Sequence, residues 1–233
     1  MVTSMKSIFS PLLIGMSGGP GGGKTLGIDA IVQHFGDKVM VVPEVASMLL
    51  NGGFPSPGAV SSEHRSEVQH CLQRAIFATQ IYIERAAKKV AEDGKRTLVI
   101  VDRTLMDGAG YFPGGVAEFW KLFGDQYPDG YEAMLKRYAL LIHMQSAAVE
   151  FPTLYTWQKN ACTKGDERRF ESPEEARTID VRIMGATREH PRRIVVSGRE
   201  RVAHKISILI EEVESLLAGK PHKIAKSGIA QCS

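Results

Sequence analysis

With 233 residues, of which 43% are hydrophobic, 24% charged and 7% aromatic, the chain has the composition of a cored protein and neither a disordered nor a fibrous one. Its 29 Lys and Arg exceed its 26 Asp and Glu by three, too small an excess for an electrostatic footprint on duplex nucleic acid, so no nucleic-acid partner is expected. Cys71, Cys162 and Cys232 are odd in number and far apart, without CxxC or histidine-flanked spacing, which argues against both a disulfide framework and a zinc site. Apolar runs fall far short of the roughly 18 residues of a membrane-spanning helix. With no signal peptide or lipidation motif read at either end, a cytoplasmic location is expected.

In chain order, five short apolar runs have strand length: Pro11–Met16, Lys38–Val42, Thr97–Val101, Tyr138–Met144 and Arg193–Val196. They are nearly continuous, as in strands of a parallel sheet covered by helices on both faces, and helix-sized segments separate them. An amphipathic stretch spans Leu26–Phe35. The clearest helix runs from about Ser62 to Asp93, with Val68, Cys71, Leu72, Ala75, Ile76, Ile83, Ala87 and Val90 as its apolar face and Gly94 as its end. A second starts at Ser172-Pro173-Glu174-Glu175, where a serine cap precedes a proline and two acids, and stops before Pro191. The last runs from about Glu200 to Leu217 and is followed by a polar tail, about 219–233. Loops are expected at Asn51–Ser61 and Tyr111–Val116, and the segment of about 150–172 is a candidate lid. The whole chain, 1–233, reads as one α/β domain with a five-stranded, mainly parallel sheet in the order 2-3-1-4-5.

Between the first strand and the amphipathic stretch lies Gly18-Gly19-Pro20-Gly21-Gly22-Gly23-Lys24-Thr25, a match to the phosphate-binding pattern G-x-x-x-x-G-K-[ST]. A polyphosphate needs several backbone N–H groups aimed at one anion, and a glycine-rich turn feeding a helix N-terminus supplies them without side-chain clashes. Residues Gly18 to Leu26 are therefore the candidate nucleotide-binding loop. Lys24 is placed to reach the β- and γ-phosphates, and Thr25 to offer its hydroxyl to Mg²⁺.

Ligands of doubly wound sheets sit at the carboxyl ends of the strands, so polar residues that close the other strands are candidates. Asp102, after Leu98–Val101, is a candidate metal carboxylate, and Arg103 beside it a candidate phosphate or substrate contact. Glu44, after the second strand, is a candidate base for a substrate hydroxyl, with a helix N-terminal charge as the plainer alternative. Arg168 and Arg169 are candidate arginines over the phosphates, with solvated surface arginines as the alternative. Thr163–Asp166 and Asp107–Gly110 match the [NT]KxD and DxxG patterns of GTPases. The first does not follow a buried strand, and the second does not start at its strand end, so both are discounted.

Together, Val42–Ala46 with Leu49–Pro55, Val101–Thr104 with Asp107-Gly108, and the segment from Arg168 through Glu175–Arg177 and Asp180 to His190-Pro191 resemble the P-loop domain shared by bacterial NadR and the TRPL translocation defect protein. This is an AAA-like, nucleoside-kinase-like P-loop NTPase family, and the resemblance covers about residues 10–215. It implies a Mg²⁺-dependent kinase that transfers the γ-phosphoryl of ATP, or GTP, to a hydroxyl of a small-molecule acceptor of nucleoside or ribosylnicotinamide type. By motif it implies Glu44 as base, Asp102 with Arg103 as the acid-arginine pair, and Arg168 or Arg169 as the phosphate clamp, with Gln80 a further candidate contact to the acceptor. The eukaryotic branch implies the alternative of a nucleotide-dependent trafficking or regulatory NTPase with a protein or phosphoinositide membrane partner.

Overall fold

The computed structural model describes residues 10–153, 155 and 171–221. Its strands are β1 (Leu12–Ser17), β2 (Val39–Val42), β3 (Leu98–Asp102), β4 (Leu140–Met144) and β5 (Arg193–Val196). Its helices are α1 (Lys24–Phe35), α2 (Val45–Asn51), α3 (Ser62–Asp93), α4 (Gly115–Phe123), α5 (Gly130–Lys136), α6 (Ala147–Glu150), α7 (Pro173–Ala186) and α8 (Val202–Leu217). The strands form one parallel sheet in the order β2-β3-β1-β4-β5, as expected from the sequence.

Because side chains alternate along a strand, each apolar run serves two cores. Leu13, Val99, Val101 and Leu141 face α3, α4 and α5, where Phe77, Phe119 and Phe123 pack edge to face and stacked. Ile14, Met16, Ile100, Ile142 and Met144 face α1 and α8. The expectation of burial along each strand fails at the two edges: Val41 of β2 and Val195 of β5 are exposed, since an edge strand has a neighbour on one side only.

The long helix has the expected bounds, but its buried stripe is not the purely apolar one. Gln73, Phe77, Gln80, Glu84, Ala87 and Ala91, at steps of three and four, face inward together with Leu72 and Ile81, while Cys71 and Val90 are exposed. Two of its buried polar residues, Gln80 and Glu84, are buried with hydrogen-bond partners, as described below. The segment Asn51–Ser61, expected as a loop, holds the end of α2 and a 3-10 turn at Pro57–Ala59. The expected loop Tyr111–Val116 runs directly from a 3-10 segment, Leu105–Tyr111, into α4. Helices as short as α2, α4 and α5 carry too few turns to register as periodic.

The second expected helix is α7, held at its start by a capping box. Ser172 Oγ accepts from the Glu175 N–H, and Glu175 Oε2 accepts from the Ser172 N–H. The expected lid falls mostly outside the described residues. Its described Tyr155 is buried with Ala148 and Ala176. Among the described residues no helix is long and apolar enough to cross a membrane, and no three metal-ligating side chains cluster.

Candidate functional site

The carboxyl ends of β1, β2 and β3 open into a cleft of about 1640 Å³, lined by Lys24, Glu44, Asp102, Arg103, Asp107 and Arg182 among others. Its floor near β1 is the glycine-rich loop. A Cβ on Gly18 or Gly22 would lie 2.2 or 2.3 Å from the Met144 carbonyl oxygen, so only glycine lets the loop lean on the end of β4. The Ser146 hydroxyl donates to the Pro20 carbonyl, and Gly21 lies so close to Tyr155 that a Cβ would come within 2.8 Å of its ring.

The Lys24 ammonium donates to the carbonyls of Gly18 and Gly19, each at 2.9 Å. Burial, and next the charge of Arg103, pull its pKa down to about 8. Thr25 and Leu26, both exposed, follow in the first turn of α1 and line the cleft.

Glu44 caps the end of β2 and reaches across to β3, where its Oε1 accepts from Arg103 Nε and its Oε2 from the Ser47 hydroxyl. Burial works to raise the Glu44 pKa, but the Arg103 charge and these hydrogen bonds outweigh it and bring it down to about 2. Asp102 is the last residue of β3, and burial raises its pKa against the opposing pull of Lys24.

Arg103 takes a left-handed backbone, φ 70°, unusual for a side chain of its size. Its N–H donates to the Met16 carbonyl at 2.9 Å, and its own carbonyl accepts from Gln80 Nε2 at 3.1 Å. The turned backbone sends the guanidinium over the cleft floor, where Nη1 reaches the Gly18 carbonyl at 3.3 Å as Nε holds Glu44.

Behind Arg103 lies a fully buried carboxylate. Glu84 accepts from Gln80 Nε2, from the Tyr138 hydroxyl and from Arg137 Nε, while the Tyr138 oxygen in turn accepts the Leu105 N–H. Both neighbours of Thr104 are thus tied to one network. Gln80, a further candidate contact to the acceptor, lines the cleft, and its amide nitrogen donates to Glu84 and to the Arg103 carbonyl.

The sequence motifs thus converge: Gly18 to Leu26, Glu44, Asp102 and Arg103 all lie around one cleft. Arg168 and Arg169 lie outside the described residues, as does Thr163–Asp166. Three polar residues at the site, Asp107, His143 and Asp180, have no role assigned from the sequence. Asp107, within the DxxG match, is buried, and its Oδ1 accepts from the Ser17 and Thr104 hydroxyls, while its Oδ2 is buried without a hydrogen-bond partner. The glycines of that match serve packing. A Cβ on Gly108 would strike Phe119 at 2.8 Å, and one on Gly110 would strike Ile183 of α7 at 2.7 Å. The remaining pair, His143 and Asp180, is completely buried beside the loop. A polar residue within an otherwise apolar run, such as His143 in Leu140–Met144, is the sequence signal that would have found it.

A smaller cavity of about 340 Å³ flanks the other side of the glycine loop, lined by Gly21, Leu26, Met144, Phe151, Val202 and Lys205 among others.

Two solved structures of deoxyadenosine kinase from M. mycoides are similar to this fold. The one with bound dATP has a TM-score of 0.50 at 16% identity, over 88% of this chain and 100% of that one. The one with the products dCMP and a flexible dCDP has a TM-score of 0.53 at 15% identity, with the same coverage. At these identities the likeness speaks for the fold alone, a P-loop kinase-type sheet. No curated protein matches the chain. A family model described as an AAA domain matches residues 13–205, from β1 into α8, and the chain therefore belongs to that AAA domain family.

Proposed function

We propose that this protein is a Mg²⁺-dependent kinase that transfers the γ-phosphoryl of ATP to a hydroxyl of a small nucleoside- or ribosylnicotinamide-like acceptor. The observation that carries this reading is the cleft itself. At about 1640 Å³ it exceeds the roughly 300–1,000 Å³ of a site for one small ligand, and it continues from the glycine loop past Glu44 to a wall holding Phe77 and Phe119. The separate cavity of about 340 Å³ beside Gly21 is mostly apolar and of a size to take the base of the triphosphate.

The donors near the loop fit Mg²⁺. Thr25 lies in the first turn of α1, Asp102 closes β3, and Asp107 Oδ2 has no hydrogen-bond partner and lies 3.8 Å from the Arg103 guanidinium, while an ion held chiefly by phosphate oxygens and water needs no three-residue cluster. Thr25 and Asp102 are the residues that would hold it, and when bound it neutralises charge on the β- and γ-phosphates.

Lys24, now on the loop carbonyls, turns to the phosphates and trades two neutral acceptors for charged ones. Glu44 is ionised at neutral pH and takes the acceptor hydroxyl proton as the new O–P bond forms and the bond to the β-phosphate oxygen breaks, releasing ADP. Movement of Arg103 from Glu44 toward phosphate would raise the basicity of the carboxylate at that moment. Arg168 or Arg169 is assigned to the transferring group on the family resemblance.

Away from the loop, Glu118, Glu171, Glu174 and Glu175 outnumber Arg65 and Arg182 in the cleft lining, among the described residues. That balance favours a neutral or cationic acceptor over one already phosphorylated.

The test is Mg²⁺-dependent turnover of ATP and GTP across nucleosides, nucleotides and nicotinamide riboside, with Lys24→Ala and Glu44→Gln as controls. Turnover that rises sharply with one acceptor and collapses in both variants is expected. Tight nucleotide binding with no acceptor stimulation would overturn the kinase reading and bring forward a nucleotide-dependent regulator.

A further inference from the structure

Asp180 sits in the second turn of α7, completely buried, and no step of the proposed reaction uses it. Its Oδ1 accepts the Gly19 N–H at 2.8 Å and the Ser146 N–H at 3.0 Å. The imidazole of His143, also fully buried, places Nε2 3.3 Å from the same oxygen without hydrogen-bond geometry. In the sheet His143 pairs with Ser17, the last residue before the loop.

The approach is too tight for any residue but glycine at position 19. A Cβ there would lie 2.7 Å from the Asp180 Cβ and 2.8 Å from its Oδ1. One carboxylate oxygen therefore joins three elements: the entrance of the phosphate loop, the start of α6 and the middle of α7.

A carboxylate next to an anion site repels the anion unless its charge is offset. Here two backbone donors and a buried imidazole surround it, and the arrangement gives up one loop N–H, that of Gly19, to the carboxylate. What the loop gains is a fixed entrance, so that the following N–H groups start from one geometry. The same helix also presents Glu174, Thr178, Ile179 and Arg182 to the cleft.

We propose that Asp180 is a positioning residue that registers α7, and with it the part of the cleft lining that α7 supplies, against the phosphate loop, so that nucleotide binding and the order of α7 are coupled. This rests on the nucleotide-binding part of the function proposed above, and does not depend on the identity of the acceptor.

The experiment measures affinity for a fluorescent ATP analogue with Mg²⁺, and hydrogen exchange of peptides spanning 17–26 and 172–186 with and without saturating ATP, in the wild type, Asp180→Ala and Asp180→Asn. In the wild type ATP protects both peptides. Asp180→Ala loses both hydrogen bonds to a charged acceptor, so affinity falls about tenfold or more. At saturation its 17–26 peptide is still protected, whereas 172–186 no longer responds. Asp180→Asn retains an acceptor oxygen and stays within about threefold of wild type, which a charge effect alone would not predict.

Should Asp180→Ala fail to fold by thermal melt, Gly19→Ala forces the same contact apart from the loop side and should likewise uncouple 172–186. An unchanged response of 172–186 in Asp180→Ala or Gly19→Ala, or Asp180→Asn as damaging as Asp180→Ala, overturns the proposal. Absence of protection at 17–26 in the wild type overturns the nucleotide-binding reading itself, and the coupling with it.

Discussion

The phosphate-loop wall of the cleft is made of backbone, whereas the wall facing it is made of side chains. On the loop side, Gly18 and Gly22 press against the Met144 carbonyl and Gly19 against Asp180, so the shape is fixed by close approach. On the far side, Glu44 and Arg103 come from strands 59 residues apart in sequence and are held by a turned backbone and a chain of buried polar contacts through Gln80 and Glu84. A wall of backbone tolerates almost no added atoms, while a wall of side chains tolerates exchange but depends on every partner.

The sharpest way to break this contrast is Gly22→Ala. Its Cβ would sit 2.3 Å from a carbonyl oxygen that cannot rotate away, so nucleotide binding should fall by more than about 100-fold and the melting temperature should drop. Titration with a fluorescent nucleotide checks it, and unchanged affinity would mean that the loop is softer than its packing implies. On the other wall, Glu44→Gln keeps the shape and removes the base. Acceptor phosphorylation should fall by about 10²–10⁴ while nucleotide affinity stays within about threefold, measured as separate kcat and Kd values.

Gln80→Leu sharpens the comparison further, because it leaves the Arg103 carbonyl and part of Glu84 without their donor. Stability should fall by about 1–3 kcal/mol in denaturant unfolding, and kcat should fall more than the affinity for nucleotide. If acceptor selectivity alone changes, with stability intact, Gln80 reads the acceptor and does not brace Arg103.

The smallest effect concerns Lys24. Its pKa in the folded chain, about 8, is below the ordinary 10.5, so a buried ammonium burdens the ligand-free protein below about pH 8. That burden is relieved as pH rises from about 8 to 10.5, and the contribution of this group to stability increases over the same window. Phosphate binding favours the ammonium again. Near pH 8 nucleotide binding should take up about half a proton, seen calorimetrically as a dependence on buffer ionisation enthalpy and absent in Lys24→Met.

The same division explains what could be read from the sequence. The glycine loop is contiguous, so its pattern and flanking elements are visible in one stretch. The strands are visible as apolar runs, to within about two residues at their ends, since burial on both faces demands such runs. Asp102, Arg103 and Glu44 could be placed because each ends a strand. Asp180 and Asp107 could not, because their roles exist only once α7, the 3-10 segment and β1 meet. The buried face of α3 departs from its apolar stripe for a related reason. Gln80 and Glu84 look like solvent-facing residues until Arg137, Tyr138 and the Arg103 carbonyl are brought to them.

The position of β1 at the centre of the sheet has a bearing on biosynthesis. Its two neighbours are β3 and β4, so β1 leaves the ribosome before either strand it pairs with and has no sheet partner until Leu98–Asp102 follows. The loop after it waits longer still, since the contact between Gly19 and Asp180 spans 161 residues. A nascent chain therefore carries the apolar run of β1 without a sheet partner until β3 follows about 80 residues later, a state in which chaperones are needed. Ligand present in the cell gains its full hold only on chains that have already been made past α7.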